Sequence, residues 1–213
     1  MTSYASSAPL TRTSSGVFGR VMSLVGIALV FVAAGAYTGR DLSLGTAQAL
    51  GFVAIGMLFA ESFVAPLRRG GLGLTWLFAL ALILGVSLGP VLQVYADADP
   101  GVVVQAAGAT ALTTLAMGAW GLATSKDLSG WLRPLSFAML GLFVIGLLLL
   151  LFGGAGNPIF SLFVIVISAA LLVVDFNFVR NRANDDDVIW LATGIFVSIL
   201  NLFISFLNLF GRR

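Results

Sequence analysis

The sequence predicts an all-α integral membrane protein with seven transmembrane helices, and three observations carry that expectation. The chain of 213 residues is 59% hydrophobic and only 9% charged, with a mean hydropathy of +1.06, far outside the range of soluble globular domains. Seven apolar stretches recur along it, each long enough to cross a hydrocarbon core of about 30 Å as a helix. The last of them, 188 to 210, places Ser198, Asn201, Ser205 and Asn208 at spacings of three, four and three, so that all four share one helical face. Amide groups left without partners in hydrocarbon are costly. This helix is therefore expected inside a bundle, enclosed by protein or lining water, where membrane proteins keep their function.

Taken in order, residues 1–17 are rich in Ser, Thr and Ala and read as a disordered tail, and 18–213 as a single seven-helix membrane domain. The first apolar stretch, 18 to 37, has a basic flank and a small-residue run from Ala33 to Ala36 that resembles a signal-peptidase site. Small residues also let helices approach closely, and a retained first helix is the expectation. A TGRD turn at 38–41 leads to the second stretch, 45 to 64, and RRGG at 68–71 to the third, 74 to 94. DADP at 97–100 precedes the fourth, 102 to 123; the fifth, 135 to 152, ends in GGAGNP at 153–158, which opens the sixth, 158 to 176. Gly35 with Gly39, and Gly85 with Gly89, have the spacing of close helix contacts, although a chain with 25 glycines produces such pairs by chance.

If the tail is cytoplasmic, Arg12, Arg20, Arg68, Arg69, Lys126, Arg133, Arg180 and Arg182 lie inside and Arg40, Arg212 and Arg213 outside. Eight against three supports an N-terminus in the cytoplasm of a multi-pass protein of the inner (plasma) membrane. Seven full crossings put Arg212 and Arg213 outside, whereas a re-entrant last helix would return them; seven crossings is the expectation. Asp97 and Asp99 then read as solvated outer-loop acids, and Asp185, Asp186 and Asp187 as complements to the N-terminal dipole of the last helix.

Several functions are disfavoured by composition. Cysteine and histidine are absent, which removes disulfides, thiol chemistry and the usual zinc sites. No serine has a histidine to activate it, and no Gly-rich loop carries a phosphate-cradling lysine, so the chain reads as a non-enzyme without a cofactor. The pI near 9.5 reflects a net charge of only +2. Basic residues sit one or two per loop, as topology signals rather than a nucleic-acid patch.

Three stretches together resemble the Bax inhibitor family, also called transmembrane BAX-inhibitor-motif proteins, in its bacterial form. They are GVSLGP at 85–90, closing the third helix; QAAGATALTT at 105–114 followed by SKDLS at 125–129; and Asp175-Phe176-Asn177 followed by ILNLFI at 199–204. The resemblance implies six helices wrapped around a central C-terminal seventh. It also implies pH-sensitive calcium leak, cell-death suppression in eukaryotes and, in some bacteria, modulation of a membrane-bound protease. Members of the family commonly carry two aspartates, on helices six and seven, that share a proton and gate the pore. Asp175 matches the first, and Ser198 stands where the second would be. The role of Lys126 and Asp127, in the family-like loop, does not follow from the sequence.

A lone carboxylate lacks the coupling that makes a proton-sharing pair, and Glu61 is the candidate substitute, at the same end of the second helix as Asp175 is of the sixth. One expectation is an ionic latch of Glu61, Asp175 and either Arg68 or Arg69 at the cytoplasmic mouth, with Ser198 beside it. The other is that both acids snorkel to interfacial water and mark helix ends. Likewise the stripe Ser198, Asn201, Ser205, Asn208 either lines an ion path or makes interhelical hydrogen bonds worth on the order of 1 kcal/mol each. Calcium takes six to eight oxygens, usually with carboxylates, so hydroxyls and amides suit weak, transient coordination; no set of metal ligands is assigned. The expected function is a passive, pH-modulated cation leak with calcium the favoured ion and the lipid bilayer as its setting. The alternative is a non-conducting regulator whose flexible tail binds a membrane protease or another membrane protein. A secondary transporter for a small solute is a third reading.

Overall fold

The computed structural model describes the backbone of residues 11–151 and 157–211, and the side chains of 16–149 and 157–211. Seven helices form: α1 (Thr11–Gly39), α2 (Leu44–Phe63), α3 (Gly70–Ala98), α4 (Pro100–Ala123), α5 (Leu132–Leu151), α6 (Pro158–Asn181) and α7 (Val188–Phe210). All seven are long and apolar enough to cross a membrane. They run up and down, so one face of the bundle carries the start of α1 and the α2–α3, α4–α5 and α6–α7 junctions. The opposite face carries the α1–α2, α3–α4 and α5–α6 junctions.

The helix starts follow local chemistry. Ser43 caps α2, its hydroxyl accepting from the Thr46 N–H at 3.2 Å. Asp99 caps α4 by accepting from Gly101 N–H at 2.9 Å, and Asn157 caps α6 from Ile159 N–H at 2.9 Å. Pro100 and Pro158 follow those caps at the first helical position, where a missing N–H costs nothing. Asn184 and Asp187 form a reciprocal capping box ahead of α7, and Asp185 pairs with Arg20 of α1.

Several boundaries differ from the sequence reading. Helix α1 begins at Thr11 rather than near residue 18, because Val17, Val21 and Val25 form a stripe at helical spacing that is fully buried at the first face. Residues 1–10 of the expected tail lie outside the described residues, as do 152–156, which include most of the GGAGNP turn, and the terminal Arg212 and Arg213. Helix α3 continues through the buried Pro90 to Ala98 instead of closing at the GVSLGP run, as membrane helices can when neighbours re-satisfy the freed backbone. Asp99 alone then separates α3 from α4.

The glycine pairs are interfaces. A Cβ on Gly89 would lie 2.6 Å from the carbonyl carbon of Gly39 and 2.7 Å from the Ala36 oxygen, and one on Gly85 would overlap the Val32 carbonyl. Helices α1 and α3 thus cross in backbone contact, by the small-residue packing that drives association in lipid.

Helix α7 is the centre. No residue from Val188 to Phe210 is exposed, and it packs against α1, α3, α4 and α6. It is one uninterrupted helix of 23 residues, roughly 34 Å long against a core of about 30 Å, so the re-entrant alternative does not describe it. Helices α2 and α5 are attached more loosely, α2 chiefly through α3 and α5 through α6.

Candidate functional site

The polar face of α7 looks into the gap between α2 and α5, where two cavities of about 200 Å³ each lie end to end. The first opens toward the first face and brings together Glu61 of α2, Asp175 of α6, and Thr193, Ser198 and Asn201 of α7. The second lies toward the opposite face and is lined by Asn201, Ser205 and Asn208 among apolar side chains of α2, α5 and α6. From Thr193 to Asn208 the lining spans roughly 22 Å along the helix axis, most of the membrane core.

The two acids share this first cavity and do not sit at the surface. Glu61 is 4% and Asp175 5% exposed, and both oxygens of Glu61 lack a hydrogen-bond partner. The Thr193 hydroxyl lies beside Glu61, but its own bond goes to the Ile189 carbonyl at 3.0 Å. Asp175 packs against Gly194, where a Cβ would stand 3.6 Å from its Oδ2. Snorkelling to bulk water, the bland alternative for these residues, requires an exposure neither has. Ser198 is buried in the same cavity.

The arginines are arranged otherwise. Arg68 lines the cavity mouth, yet its Nε donates to the Glu61 main-chain carbonyl at 2.6 Å and its terminal Nη2 to the Ser62 carbonyl. It closes the C-terminus of α2, whose last carbonyls have no helical partner. Arg69 is exposed at the start of α3 and does not line the cavity. Among the described residues the ion pairs are Arg20–Asp185, Arg40–Asp41 and Arg182–Asp127. Neither cavity acid belongs to one, so the two acids line the same cavity without the arginine clasp.

The sequence reading left out Thr193, and it quoted Asn177 only within the Asp175-Phe176-Asn177 motif, without a role of its own. Thr193 lies eight residues before Asn201 on α7, a spacing that continues the stripe. Asn177 is fully buried and faces away from the cavity. Its Nδ2 donates to the carbonyls of Gly121, Thr124 and Lys126, at 3.3, 2.8 and 3.1 Å, and its Oδ1 accepts from the Leu128 N–H at 2.9 Å. Arg182 adds a bond from Nε to Asp127 at 2.8 Å. The Ser125–Ser129 segment therefore folds as a loop pinned to α6, which gives Lys126 and Asp127 a structural setting. The acids at the α3–α4 junction are locally used: Asp99 as the α4 cap, and Asp97 accepting from Gln93 at 2.8 Å.

The sequence profile of the family described as Inhibitor of apoptosis-promoting Bax1 matches residues 14–213. An uncharacterized protein of Pseudomonas aeruginosa is 30% identical over 94% of this chain and 90% of its own length. An uncharacterized membrane protein of Vibrio cholerae is 32% identical over 84% of this chain and 81% of its own. The modulator of FtsH protease YccA of Escherichia coli is 29% identical over 65% of this chain and 64% of its own length. With seven membrane-length helices and a match running nearly end to end, this chain is a multi-pass membrane protein that belongs to the Bax inhibitor family.

Proposed function

We propose that the protein is a passive cation leak of the inner membrane, with calcium the favoured ion and the first face of the bundle cytoplasmic. The single observation that supports this most is the alignment of two cavities along the α7 stripe, with Glu61 and Asp175 in the first. Hydroxyls, amides and two acids fall short of the six to eight oxygens of a tight calcium site. They suit passing coordination, since conduction needs ions to leave as readily as they enter. On this reading Glu61 takes the place of the carboxylate that Ser198 replaces, and proton occupancy of the Glu61–Asp175 pair modulates the leak. Neither acid needs an arginine partner for that role. The inside placement of the first face rests on its excess of Lys and Arg. No chemical step is ascribed to the chain, which is read as a non-enzyme without a cofactor.

Calcium flux into proteoliposomes of the purified protein, at neutral and mildly acidic pH, tests this. Flux that changes with pH in the parent and is altered in Asp175→Asn supports the leak. Absence of flux at both pH values from folded protein overturns it.

A second reading is favoured by the likeness to YccA, named as a modulator of FtsH protease: a non-conducting regulator of a membrane protease. Deleting Met1 to Ser15 would abolish protease modulation under this reading and leave ion flux intact under the first.

A further inference from the structure

The two cavities have three side chains in common, Met139 and Phe143 of α5 and Asn201 of α7. Met139 is 6% exposed, and its sulfur accepts from Asn201 Nδ2 at 3.7 Å. On the first-face side of this level lie Glu61, Asp175, Thr193 and Ser198, and on the other side Ser161, Ser205 and Asn208 among apolar side chains; at the shared level a thioether and a phenyl ring stand with Asn201. A thioether is a weak acceptor on a flexible chain, so this contact is a soft tether rather than a rigid strut. Both apolar side chains come from α5, which is the least enclosed of the seven helices and is held chiefly by α6. One of its contacts with α6 is Gly146 under Phe160, a smooth seat without a side chain to lock it.

We propose that Met139 and Phe143 form an apolar septum that divides the conduit into two vestibules, with Asn201 holding α5 in the closed position. Apolar constrictions block ions by excluding water, so passage requires the two side chains to withdraw from α7. This rests on the conduit reading above, but the division itself can be measured without any ion flux.

The chain contains no cysteine, so single cysteines report each vestibule directly. Ser198→Cys marks the first and Ser205→Cys the second. In full-length protein reconstituted in vesicles of known orientation, a membrane-impermeant thiol reagent is applied from the first face. Ser198→Cys is expected to react and Ser205→Cys to be protected. Adding Met139→Ala or Phe143→Ala should make Ser205→Cys react from that face roughly tenfold faster or more, as water enters an opened constriction. Met139→Leu, which keeps the bulk and loses the sulfur, should preserve most of the block. Equal reactivity of the two cysteines with the septum intact overturns the proposal. So does unchanged protection of Ser205→Cys in both alanine variants, each being judged only against its own thermal melt and against Met139→Leu. If the alanine variants open the second vestibule but no variant passes calcium, the septum stands and the conduit reading fails.

Discussion

Arg68 holds Glu61 by its main chain and not by its carboxylate: Nε meets the Glu61 carbonyl at 2.6 Å, while neither carboxylate oxygen has a protein hydrogen-bond partner. The arginine thus serves the end of α2, and the acid serves the cavity. A buried polar group without a protein hydrogen bond is costly unless water reaches it, and Glu61 lines a cavity of about 200 Å³, room enough for water.

Glu61→Gln is therefore expected to melt at the same temperature as the parent or higher. Arg68→Ala should lower stability by about 1–2 kcal/mol by orphaning carbonyls at the end of α2. Thermal unfolding in detergent separates the two. A Glu61→Gln variant as unstable as Arg68→Ala would mean that the carboxylate is structurally bonded.

Removing the Asn177 amide strands four main-chain groups, one at Gly121 in the last turn of α4 and three at Thr124, Lys126 and Leu128 of the α4–α5 connection. Asn177→Ala is expected to destabilise by about 3 kcal/mol and to expose Lys126. Trypsin cleavage after Lys126 should accelerate relative to the parent, while Asp175→Asn, two residues away on another face, should leave it unchanged.

The α1–α3 crossing leaves no room for a side chain at Gly89. Gly89→Val should destabilise by at least about 2–3 kcal/mol, as overpacking does, or prevent folding. Gly56→Ala, where nothing lies within 4 Å of the added carbon, should be neutral. Comparing expression and melting of the two variants checks that the glycine spacing is an interface.

The Asp127 carboxyl is held below the usual carboxylate range, first by the Ser129 N–H at 2.9 Å, then by the Ser129 hydroxyl and by Arg182. A depressed folded value means the contribution to loop order is complete above the ordinary value of about 4. It is lost as pH falls through the lower folded value. Hydrogen exchange at the Ser129 amide should therefore stay slower in the parent than in Asp127→Asn from neutral pH down to about 4, and the difference should vanish only below that.

Much of this architecture was legible in the sequence because lipid imposes a simple rule: apolar length sets the crossings, and a polar stripe sets the helix that must be shielded. The α7 stripe and its central place follow from that rule. Boundaries were less legible, since Val17 and Pro90 obey tertiary packing that hydropathy does not encode. The sharing of one cavity by Glu61 and Asp175 depends on how α2, α5, α6 and α7 surround it, which spacing within a single helix does not determine. The rejection of an arginine partner depends on the unsatisfied carbonyls at the end of α2, and these draw Arg68 more strongly than its proximity in sequence to Glu61 would indicate. Asn177 was hidden because a loop-pinning amide and a pore-lining amide look alike in a sequence.

The claim that Glu61 and Asp175 act together is tested most directly by the pH dependence of calcium flux in the Glu61→Gln, Asp175→Asn double variant beside the parent and each single variant. Each single variant is expected to weaken the response to mild acid, and the double variant to conduct at a rate that no longer changes with pH. A double variant with the parent's full pH response would contradict the account, because the proton sensor would then lie outside the cavity that the two acids share.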